Sequence, residues 1–354
     1  MSKTIILNDL HLGVTRSGGT THSTMELLRS YGHAQHQALL AHADDGDTVI
    51  VNGDLADQYD IPLSQALEIY GVAAEFLRRK PNSKLVWAVG NHDLSKDSSK
   101  LGTVSFLGTL LTGAFPERFT LLEKPGLLNA QIYIIPHVAN QDMFEMELAR
   151  IPTCKFVLLH CNYDNEFAGA MDHSLNLSRA QAKVLKERGM TMIFGHEHQQ
   201  KMSLGGSVVV VGNQFPTSVS DCLNNESKQY AWISEAGTLN FETSWTVDSP
   251  IGYFKEVDWK DAGTFIHAPA GFIRVIGDAS VEEAAEVVKA ISALRQRSEA
   301  FVVTNAVQVA QASGLEELAA SVEDVRSVNV LDMLIEALTP EQGVVVRRLT
   351  GTTA

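Results

Sequence analysis

The sequence predicts an α/β fold, because strand-like apolar runs and helical patterns alternate along the first two-thirds of the chain. Seven runs are short, rich in β-branched residues and apolar at successive positions, which predicts strands buried on both faces. They are residues 4–7, 48–51, 85–89, 132–135, 156–159, 192–194 and 208–211. Clusters of Asp, His, Asn and Gly follow most of these runs, and α/β folds place their functional sites at such strand ends.

Helical spacing of apolar residues predicts three helices between these strands. They cover residues 25–43, 63–79 and 178–188. Ser178 is the expected N-cap of the third helix, and Gly189 follows its end. The histidines around the first helix, including His36, are expected on its solvent-exposed face.

A change in composition predicts two domains, residues 1–246 and 247–354. Turn-forming Pro and Gly residues near the change favour a linker. The second domain is expected to be a small α+β appendage. Its elements would be a strand at 272–276, a helix capped by Ser280 and Glu283, a strand at 301–309 and an apolar helix at 330–338.

Composition limits the classes of function. The chain has 354 residues, of which 45% are hydrophobic and 20% charged, so a globular protein with a substantial core is expected. The net charge of −14 disfavours binding to nucleic acid or membranes through a broadly basic surface. The apolar runs are too short for a secretion signal or a membrane span, which favours a cytoplasmic protein without membrane contact.

Five polar clusters follow predicted strands and offer metal-binding side chains. They are Asp9-Leu10-His11, Gly53-Asp54, Gly90-Asn91-His92-Asp93, His160 and Gly195-His196-Glu197-His198. Carboxylates, imidazoles and an amide oxygen together suit ions such as Mn²⁺, Fe²⁺ or Zn²⁺. So many ligands exceed the needs of one tetrahedral ion and suit two ions about 3.5–4 Å apart that share a carboxylate, for which Asp54 is the expected bridge.

The order of these motifs resembles that of the calcineurin-like metallophosphoesterase superfamily. The resemblance implies a four-layered α/β sandwich, in which two β-sheets are flanked by helices, and a centre of two divalent metal ions. It assigns one ion to Asp9, His11, Asp54 and His198. It assigns the other ion to Asp54, Asn91, His160 and His196.

The same resemblance implies that His92 is catalytic, by protonating the leaving group or stabilising the transition state, and that Asp93 orients it. An imidazole is a suitable proton donor near neutral pH. Asp57 allows two interpretations, a functional side chain or an exposed residue at a helix start. Glu197 lies between two expected ligands and is predicted to point away from the ions.

Two motifs favour one branch of the superfamily. Asp9-Leu10-His11-Leu12-Gly13 and Gly90-Asn91-His92-Asp93 are similar to motifs of the SbcD-type nucleases and the phage recombination endonuclease subunit. Protein phosphatases of the superfamily carry an arginine where this chain has Gln58. The branch implies a DNA exonuclease or endonuclease of repair or recombination, with Mn²⁺ as the favoured metal, an SMC-like ATPase partner subunit and a possible homodimer.

Two other functions stay open. Acidic residues outnumber basic ones in the region from Asp278 onward, which disfavours a strong DNA-capping role. Two explanations stay open: a partner ATPase carries most of the DNA affinity, or the substrate is smaller than DNA. Nucleotides, cyclic nucleotides and phosphoproteins are the candidates. A scaffold subunit with an inactive site is the third possibility, and the complete set of ligand residues argues against it.

Overall fold

The computed structural model describes residues 2–13, 22–95, 97, 100–165, 174–217, 227–246, 254–265, 271–297 and 302–309. The helices are α1 (His22–Ala41), α2 (Leu63–Arg79), α3 (Thr103–Ala114), α4 (Gln141–Arg150), α5 (Arg179–Glu187) and α6 (Ala284–Arg297). The first strands are β1 (Lys3–Leu7), β2 (Thr48–Asn52), β3 (Lys84–Ala88), β4 (Phe119–Leu122), β5 (Gly126–Asn129), β6 (Ile132–Ile135), β7 (Phe156–His160), β8 (Asn162–Tyr163), β9 (Asn176–Leu177) and β10 (Thr191–Gly195). The later strands are β11 (Lys201–Ser203), β12 (Val208–Val210), β13 (Lys228–Ser234), β14 (Leu239–Trp245), β15 (Phe254–Asp258), β16 (Phe272–Ile276), β17 (Asp278–Ala279), β18 (Val302–Asn305) and β19 (Gln308–Val309).

Two six-stranded sheets carry all seven predicted strands, whose bounds are confirmed to within one residue. The first sheet has the order β14-β13-β1-β2-β3-β4, and its strands β1 to β4 run parallel. The second sheet has the order β11-β12-β10-β7-β6-β5, with β12, β10, β7 and β6 parallel. Parallel neighbours bring their carboxyl ends to one edge of each sheet, which is where the polar clusters follow.

The alternation of side chains along each strand builds four layers. In β1, Ile5 and Leu7 pack with α1, α2 and α3, whereas Ile6 faces the apolar layer shared by the two sheets. The outer face of the second sheet packs with Phe144 of α4 and Leu185 of α5. Each such fully buried apolar side chain contributes about 1.5–3 kcal/mol. The helix–sheet–sheet–helix sandwich expected from the resemblance is therefore confirmed.

Helices α3 and α4 were not predicted from the sequence. Helix α3 contains Gly108 and three threonines, which weaken its helical pattern, although Val104, Leu107 and Leu111 are buried on one face. Helix α4 carried a readable start signal, because the side chain of Asn140 accepts a hydrogen bond from Met143 N at 2.9 Å. The capping predicted at Ser178 is confirmed, as a reciprocal pair of hydrogen bonds with Gln181.

The strand–helix–strand pattern predicted after residue 270 is confirmed with one correction. Strands β16 and β18 are parallel neighbours, and β15, which the sequence did not indicate, pairs with the other edge of β16. The predicted strand at 301–309 is divided into β18 and β19, since β19 pairs with β17 instead. Ser280 and Glu283 form the predicted capping box, with N–H donors at 2.8 and 3.3 Å from the partner side chains.

Two compact units divide the described residues. One comprises those within 2–277 together with those within 288–306, and the other comprises 278–287 and 307–309. The predicted domain boundary at residue 247 and the predicted helix at 330–338 lie outside the described residues, so both stay predictions. No helix in the described part of the chain is long and apolar enough to cross a membrane.

His36 contradicts the expectation of a solvent-exposed histidine. Its side chain is only 1% exposed on the inner face of α1. Burial, reinforced by the charge of the neighbouring His33, lowers the pKa of His36 to about 3. The apolar pattern of α1 was too weak to show which face the helix buries.

Replacing His36 by glutamine should make the protein less sensitive to acid. An unfolded histidine gains a proton as the pH falls through about 6.5, whereas folded His36 stays neutral until about pH 3. This group therefore lowers the free energy of unfolding by about 2 kcal/mol between pH 7 and pH 5. Urea unfolding at the two pH values should show a smaller loss for His36→Gln than for the wild type.

The control for this measurement is His42→Gln, at an exposed position just after α1. It should retain the full wild-type loss of stability. An equal acid sensitivity in His36→Gln and the wild type would show that His36 is not the buried titrating group.

Candidate metal centre

All five polar clusters meet at the edge where the carboxyl ends of the two sheets lie side by side. Three groups of possible ligand atoms result, each with its atoms within 4.8 Å of one another. They are Asp9 with His11 and His198, His11 with Asp54 and His92, and Asp54 with His160 and His196. The structure thus brings together residues that follow β1, β2 and β3 of one sheet with residues from β7 and β10 of the other.

The carboxylate of Asp54 occupies the middle of the cluster. Its Oδ2 lies 3.2 Å from His160 Nε2 and 3.8 Å from His11 Nε2. Its Oδ1 accepts a hydrogen bond from the backbone N–H of His92 at 2.9 Å. One oxygen therefore faces both halves of the cluster while the other is fixed by the backbone, which is the arrangement a bridging ligand needs.

The remaining ligand atoms converge on either side of Asp54. The Oδ1 atom of Asn91 lies 3.0 Å from His160 Nε2 and 3.0 Å from His196 Nδ1. On the other side, the Nε2 atoms of His11 and His198 are 3.0 Å apart. Nitrogen and oxygen lone pairs converging at this spacing fit a divalent cation on each side. The sets match the two assigned by the resemblance, and ligation by these residues stays a prediction.

Backbone strain is concentrated at the same residues. Among non-glycine residues described with positive φ are Asp9 at 52°, His11 at 43°, Asp54 at 49° and His196 at 86°. A left-handed conformation costs a residue with a Cβ about 1–3 kcal/mol and persists where the surroundings enforce it. Its occurrence at four expected ligands indicates a site whose geometry takes precedence over local stability.

Two motif glycines permit the close packing of these loops. A Cβ at Gly53, whose φ is +90°, would overlap the ring of His160. A Cβ at Gly90 would overlap the backbone nitrogen and the carboxylate of Asp54. The glycines before Asp54 and Asn91 are therefore required by the approach of the loops to each other.

Asp57 holds two other site residues in position. Its side chain is 5% exposed, and its Oδ1 lies 3.5 Å from His11 Nδ1, on the far side of the ring from Asp54. Its backbone carbonyl accepts a hydrogen bond from His92 Nδ1 at 2.6 Å. A carboxylate behind a histidine ligand fixes the ring and its tautomer. Of the two interpretations left open by the sequence, the structure favours the functional one.

Asp93 acts on the backbone of two loops. Its buried carboxylate accepts hydrogen bonds from Ala56 N at 2.9 Å and Gly90 N at 2.8 Å, with Leu55 N at 3.4 Å. The ring of His92, which Asp93 was expected to orient, is instead held by the carbonyl of Asp57. Asp93 therefore positions His92 only through the loops that both residues share.

Burial and neighbouring charges shift the protonation of the cluster. Burial alone would lower the pKa of His160, but Asp54 raises it to about 10. The pKa of Asp54 lies well below its usual value, because His160 outweighs the effect of burial. Burial, reinforced by Asp54, raises the pKa of Asp93 to about 6. Negative charge that holds a proton on His160 would also hold a cation, so metal binding should compete with protonation.

Glu197 and His137 lie at the edge of the cluster, outside the set of expected ligands. The carboxylate of Glu197 accepts a hydrogen bond from the backbone N–H of Tyr163, so it points away from the converging ligands as predicted. His137 donates its backbone N–H to Val89 O at 2.9 Å, which places it beside the loop that carries Asn91. Burial, followed by the charge of His160, lowers the pKa of His137 to about 4.

Asp54→Ala should lose both metal ions, because the oxygen that faces both sides of the cluster is removed. Metal content after dialysis, measured by plasma mass spectrometry, should fall from about two ions per chain to near zero. Asp60→Ala, an exposed acidic residue in the same loop, is the control and should keep the wild-type content. Two ions per chain in Asp54→Ala would contradict the shared position.

Gly90→Ala should weaken metal binding although every ligand remains. The added methyl group would push Asp54 from its place, and displaced support around a metal site typically costs 10–100-fold in affinity. Titration with Mn²⁺ under competition from a chelator measures the change. Gly71→Ala, an exposed position on α2 with no atom within 4 Å of the new Cβ, should leave the affinity unchanged. Equal affinities for Gly90→Ala and the wild type would show that the loops can separate freely.

Comparison with known proteins places the chain in a family. Among solved structures, it is similar to an archaeal phosphodiesterase, with 14% identity, 68% of this chain and 99% of that chain covered, and a TM-score of 0.32. It is also similar to a purple acid phosphatase from yellow lupin seeds, with 12% identity, 69% of this chain and 51% of that chain covered, and a TM-score of 0.37. A third similar structure is a putative 5′-nucleotidase from Staphylococcus aureus, with 13% identity, 68% of this chain and 52% of that chain covered, and a TM-score of 0.35.

These structural likenesses are too low to support an argument about function, and no curated protein matches the chain. The family model of the calcineurin-like phosphoesterases matches residues 2–200, which is more than half of the chain. The match spans all five polar clusters. The protein therefore belongs to the calcineurin-like phosphoesterase family.

Proposed function

We propose that this phosphoesterase hydrolyses phosphodiester bonds in DNA, as an exonuclease or endonuclease of repair or recombination. The observation that carries the proposal is the position of Asp54 Oδ2 between His11 and His160, with His92 beside them. It supports a centre of two ions. The motif around His11 and the motif that ends in Asp93 favour the SbcD-type branch over the protein phosphatases.

In the proposed reaction, the metal ions and His92 would have different roles. Two divalent ions, held by the seven expected ligands, would supply a nucleophile from water at neutral pH and offset charge on the phosphoryl oxygens. The mixed oxygen and nitrogen ligands favour Mn²⁺. The Nδ1–H group of His92 donates a hydrogen bond to the backbone carbonyl of Asp57. The other ring nitrogen, Nε2, is therefore the one available to the substrate. In its imidazolium form it can give the Nε2 proton to the leaving oxygen.

His92→Ala should retain both metal ions and lose turnover. Loss of a proton donor typically lowers kcat by 10²–10⁴-fold, and His92 is not among the seven expected ligands. Metal content and kcat on bis(p-nitrophenyl) phosphate should be measured on the same preparation. His42→Ala, outside the cluster, is the control. An unchanged kcat would remove His92 from the mechanism, and a loss of metal would make it a ligand.

The proposal of a nuclease is tested by a pair of substrates. The purified protein with Mn²⁺ is assayed on linear duplex and single-stranded DNA, and on bis(p-nitrophenyl) phosphate, with Asp54→Ala as the blank. Cleavage of both kinds of substrate, lost in the blank, is the expected result. Hydrolysis of the small diester alone, also after addition of an ATPase partner, would contradict the assignment to DNA.

The net charge of −14 favours a second candidate function. An acidic surface repels a polyanion, so nucleotides, cyclic nucleotides or phosphoproteins would suit this chain better than DNA unless a partner binds the DNA. A kcat/KM for a nucleotide or cyclic nucleotide far above that for DNA would support this candidate. The scaffold alternative would be supported if Asp54→Ala and His92→Ala kept full biological function.

We also propose that two copies of the chain associate through exposed apolar residues of α2, of α3 and of the segment just before α3. Large apolar side chains are exposed there, namely Leu63 at 69%, Leu67 at 57%, Leu101 at 66%, Phe106 at 46% and Leu110 at 45%. Thr103 links the two helix starts, because its N–H donates to Tyr59 O at 2.7 Å and its hydroxyl accepts from Ile61 N at 3.3 Å. Exposed apolar clusters of this kind often mark protein interfaces.

The association is tested by light scattering of wild type, Phe106→Glu and Val184→Glu, the last an exposed apolar position on α5. A dimer that only Phe106→Glu converts to monomer is the expected result. A wild-type monomer, or a dimer unaffected by Phe106→Glu, would contradict the proposal. We further propose that an SMC-like ATPase partner, which the resemblance to this branch implies, binds at residues 330–338. Loss of partner binding on deletion of these residues would support this.

A further inference from the structure

Two buried amide side chains, Asn8 and Asn52, lie next to the candidate metal centre. Asn8 directly precedes Asp9, and Asn52 is the last residue of β2, two positions before Asp54. Both side chains are fully buried, and Asn52 Nδ2 donates a hydrogen bond to Asn8 Oδ1 at 3.1 Å. Neither residue is an expected metal ligand, so their presence at two strand ends that lead into the site needs a separate explanation.

Asn52 contacts the second sheet at two adjacent points of β7. Its side-chain Nδ2 also donates to Leu159 O at 3.2 Å. Its backbone carbonyl lies 3.0 Å from His160 Nδ1. A carbonyl oxygen can only accept a hydrogen bond, so Nδ1 of His160 carries the proton and the lone pair of Nε2 remains for an ion. One residue of the first sheet therefore holds both the backbone before His160 and the His160 ring.

The neighbouring strand encloses this contact. Gly195 of β10 is paired with His160 of β7. A Cβ at Gly195 would lie 2.6 Å from Asn52 O and 3.0 Å from His160 Nδ1. Because the carbonyl and the ring are packed so closely, a shift of Asn52 should move the ring as well.

The amide pair is not the most stable way to fill this position. Asn8 Nδ2 and Asn52 Oδ1 are buried with no hydrogen-bond partner among the described residues. A buried polar atom without a partner is unfavourable, and apolar side chains of similar shape would avoid this. The ligands next to the pair show the same priority of geometry over stability, since Asp9 and Asp54 have left-handed backbone. This pattern indicates that Asn52 serves the position of the ligands.

The ion on the other side has ligands that are supported independently. The N–H of Asp9 donates to Gly53 O at 3.3 Å, and its carboxylate accepts from His196 N at 2.8 and 3.0 Å. The Nδ1 atom of His11 lies 3.5 Å from Asp57 Oδ1. Loss of the amide pair should therefore leave these two ligands in place.

We propose that Asn52 is a positioning residue that sets the affinity for the ion at His160. The proposal rests on the two-ion centre of the proposed function and names the side chain that orients one of its ligands. Groups that hold the second nitrogen of a histidine ligand typically account for 10–100-fold in metal affinity. Asn52 holds that nitrogen with its carbonyl, and its side chain fixes the carbonyl against β7.

Two matched substitutions test the proposal. Asn52→Leu keeps the branched shape of the side chain and removes both of its hydrogen bonds. Asn8→Leu makes the same change at the neighbouring buried position and keeps the bond from Asn52 to Leu159.

Binding of Mn²⁺ is measured by calorimetry on the metal-free proteins. In Asn52→Leu, one ion should bind about 10–100-fold more weakly and the other as in the wild type. In Asn8→Leu, the loss should be clearly smaller. Anomalous diffraction from Asn52→Leu with a single equivalent of Mn²⁺ should place the retained ion between His11 and His198.

Equal weakening of both ions in Asn52→Leu, equal losses in the two variants, or unchanged affinities would overturn the proposal. The first two results are those of a residue that only stabilises the core. Asn52→Ala, which removes the same hydrogen bonds without adding bulk, is measured in the same way if Asn52→Leu does not fold. A wild type that binds a single ion would refute the two-ion centre and this proposal together. Selective weakening of one ion in a protein that hydrolyses neither DNA nor bis(p-nitrophenyl) phosphate would refute the proposed phosphodiesterase and keep the role of Asn52.

Discussion

The buried carboxylate of Asp54 is the contact on which the arrangement of the site depends. It lies after a strand of the first sheet, yet its Oδ2 atom is 3.2 Å from His160 of the second sheet. A buried charge without a partner is strongly unfavourable, and removing one member of a buried pair typically costs 3–5 kcal/mol. Asp54 and the histidines on both sides of it therefore stabilise one another in the buried site. Gly90 lacks a Cβ because this carboxylate occupies the space.

The apolar layer between the sheets makes this contact possible. Residues such as Ile6, Ile50 and Leu158 pack the two sheets face to face, so the carboxyl ends of both parallel sets open at the same edge. The core thus provides the stability, while the strained loops provide the function. Left-handed backbone at Asp9 and Asp54 is tolerated because the strands before them end in buried residues that hold the chain in place.

The sequence predicted the layered fold and the residues of the cluster, because both depend on local patterns. Apolar runs indicate buried strands wherever they occur, and each polar motif lies directly after its strand. The roles of Asp57 and Asp93 could not be predicted in this way. They depend on which backbone atoms the folded loops present, and Asp57 rather than Asp93 meets the ring of His92. His36 was misplaced for a related reason, since its burial depends on a neighbouring helix and not on its own segment.

The most direct test of the shared carboxylate is anomalous diffraction from crystals of the protein grown with Mn²⁺. Two peaks about 3.5–4 Å apart, both within bonding distance of Asp54 Oδ2, are the expected result. One would be bordered by His11 and His198, and the other by His160 and His196. A single peak, or two peaks of which only one contacts Asp54, would contradict the account of a two-metal centre built around this residue.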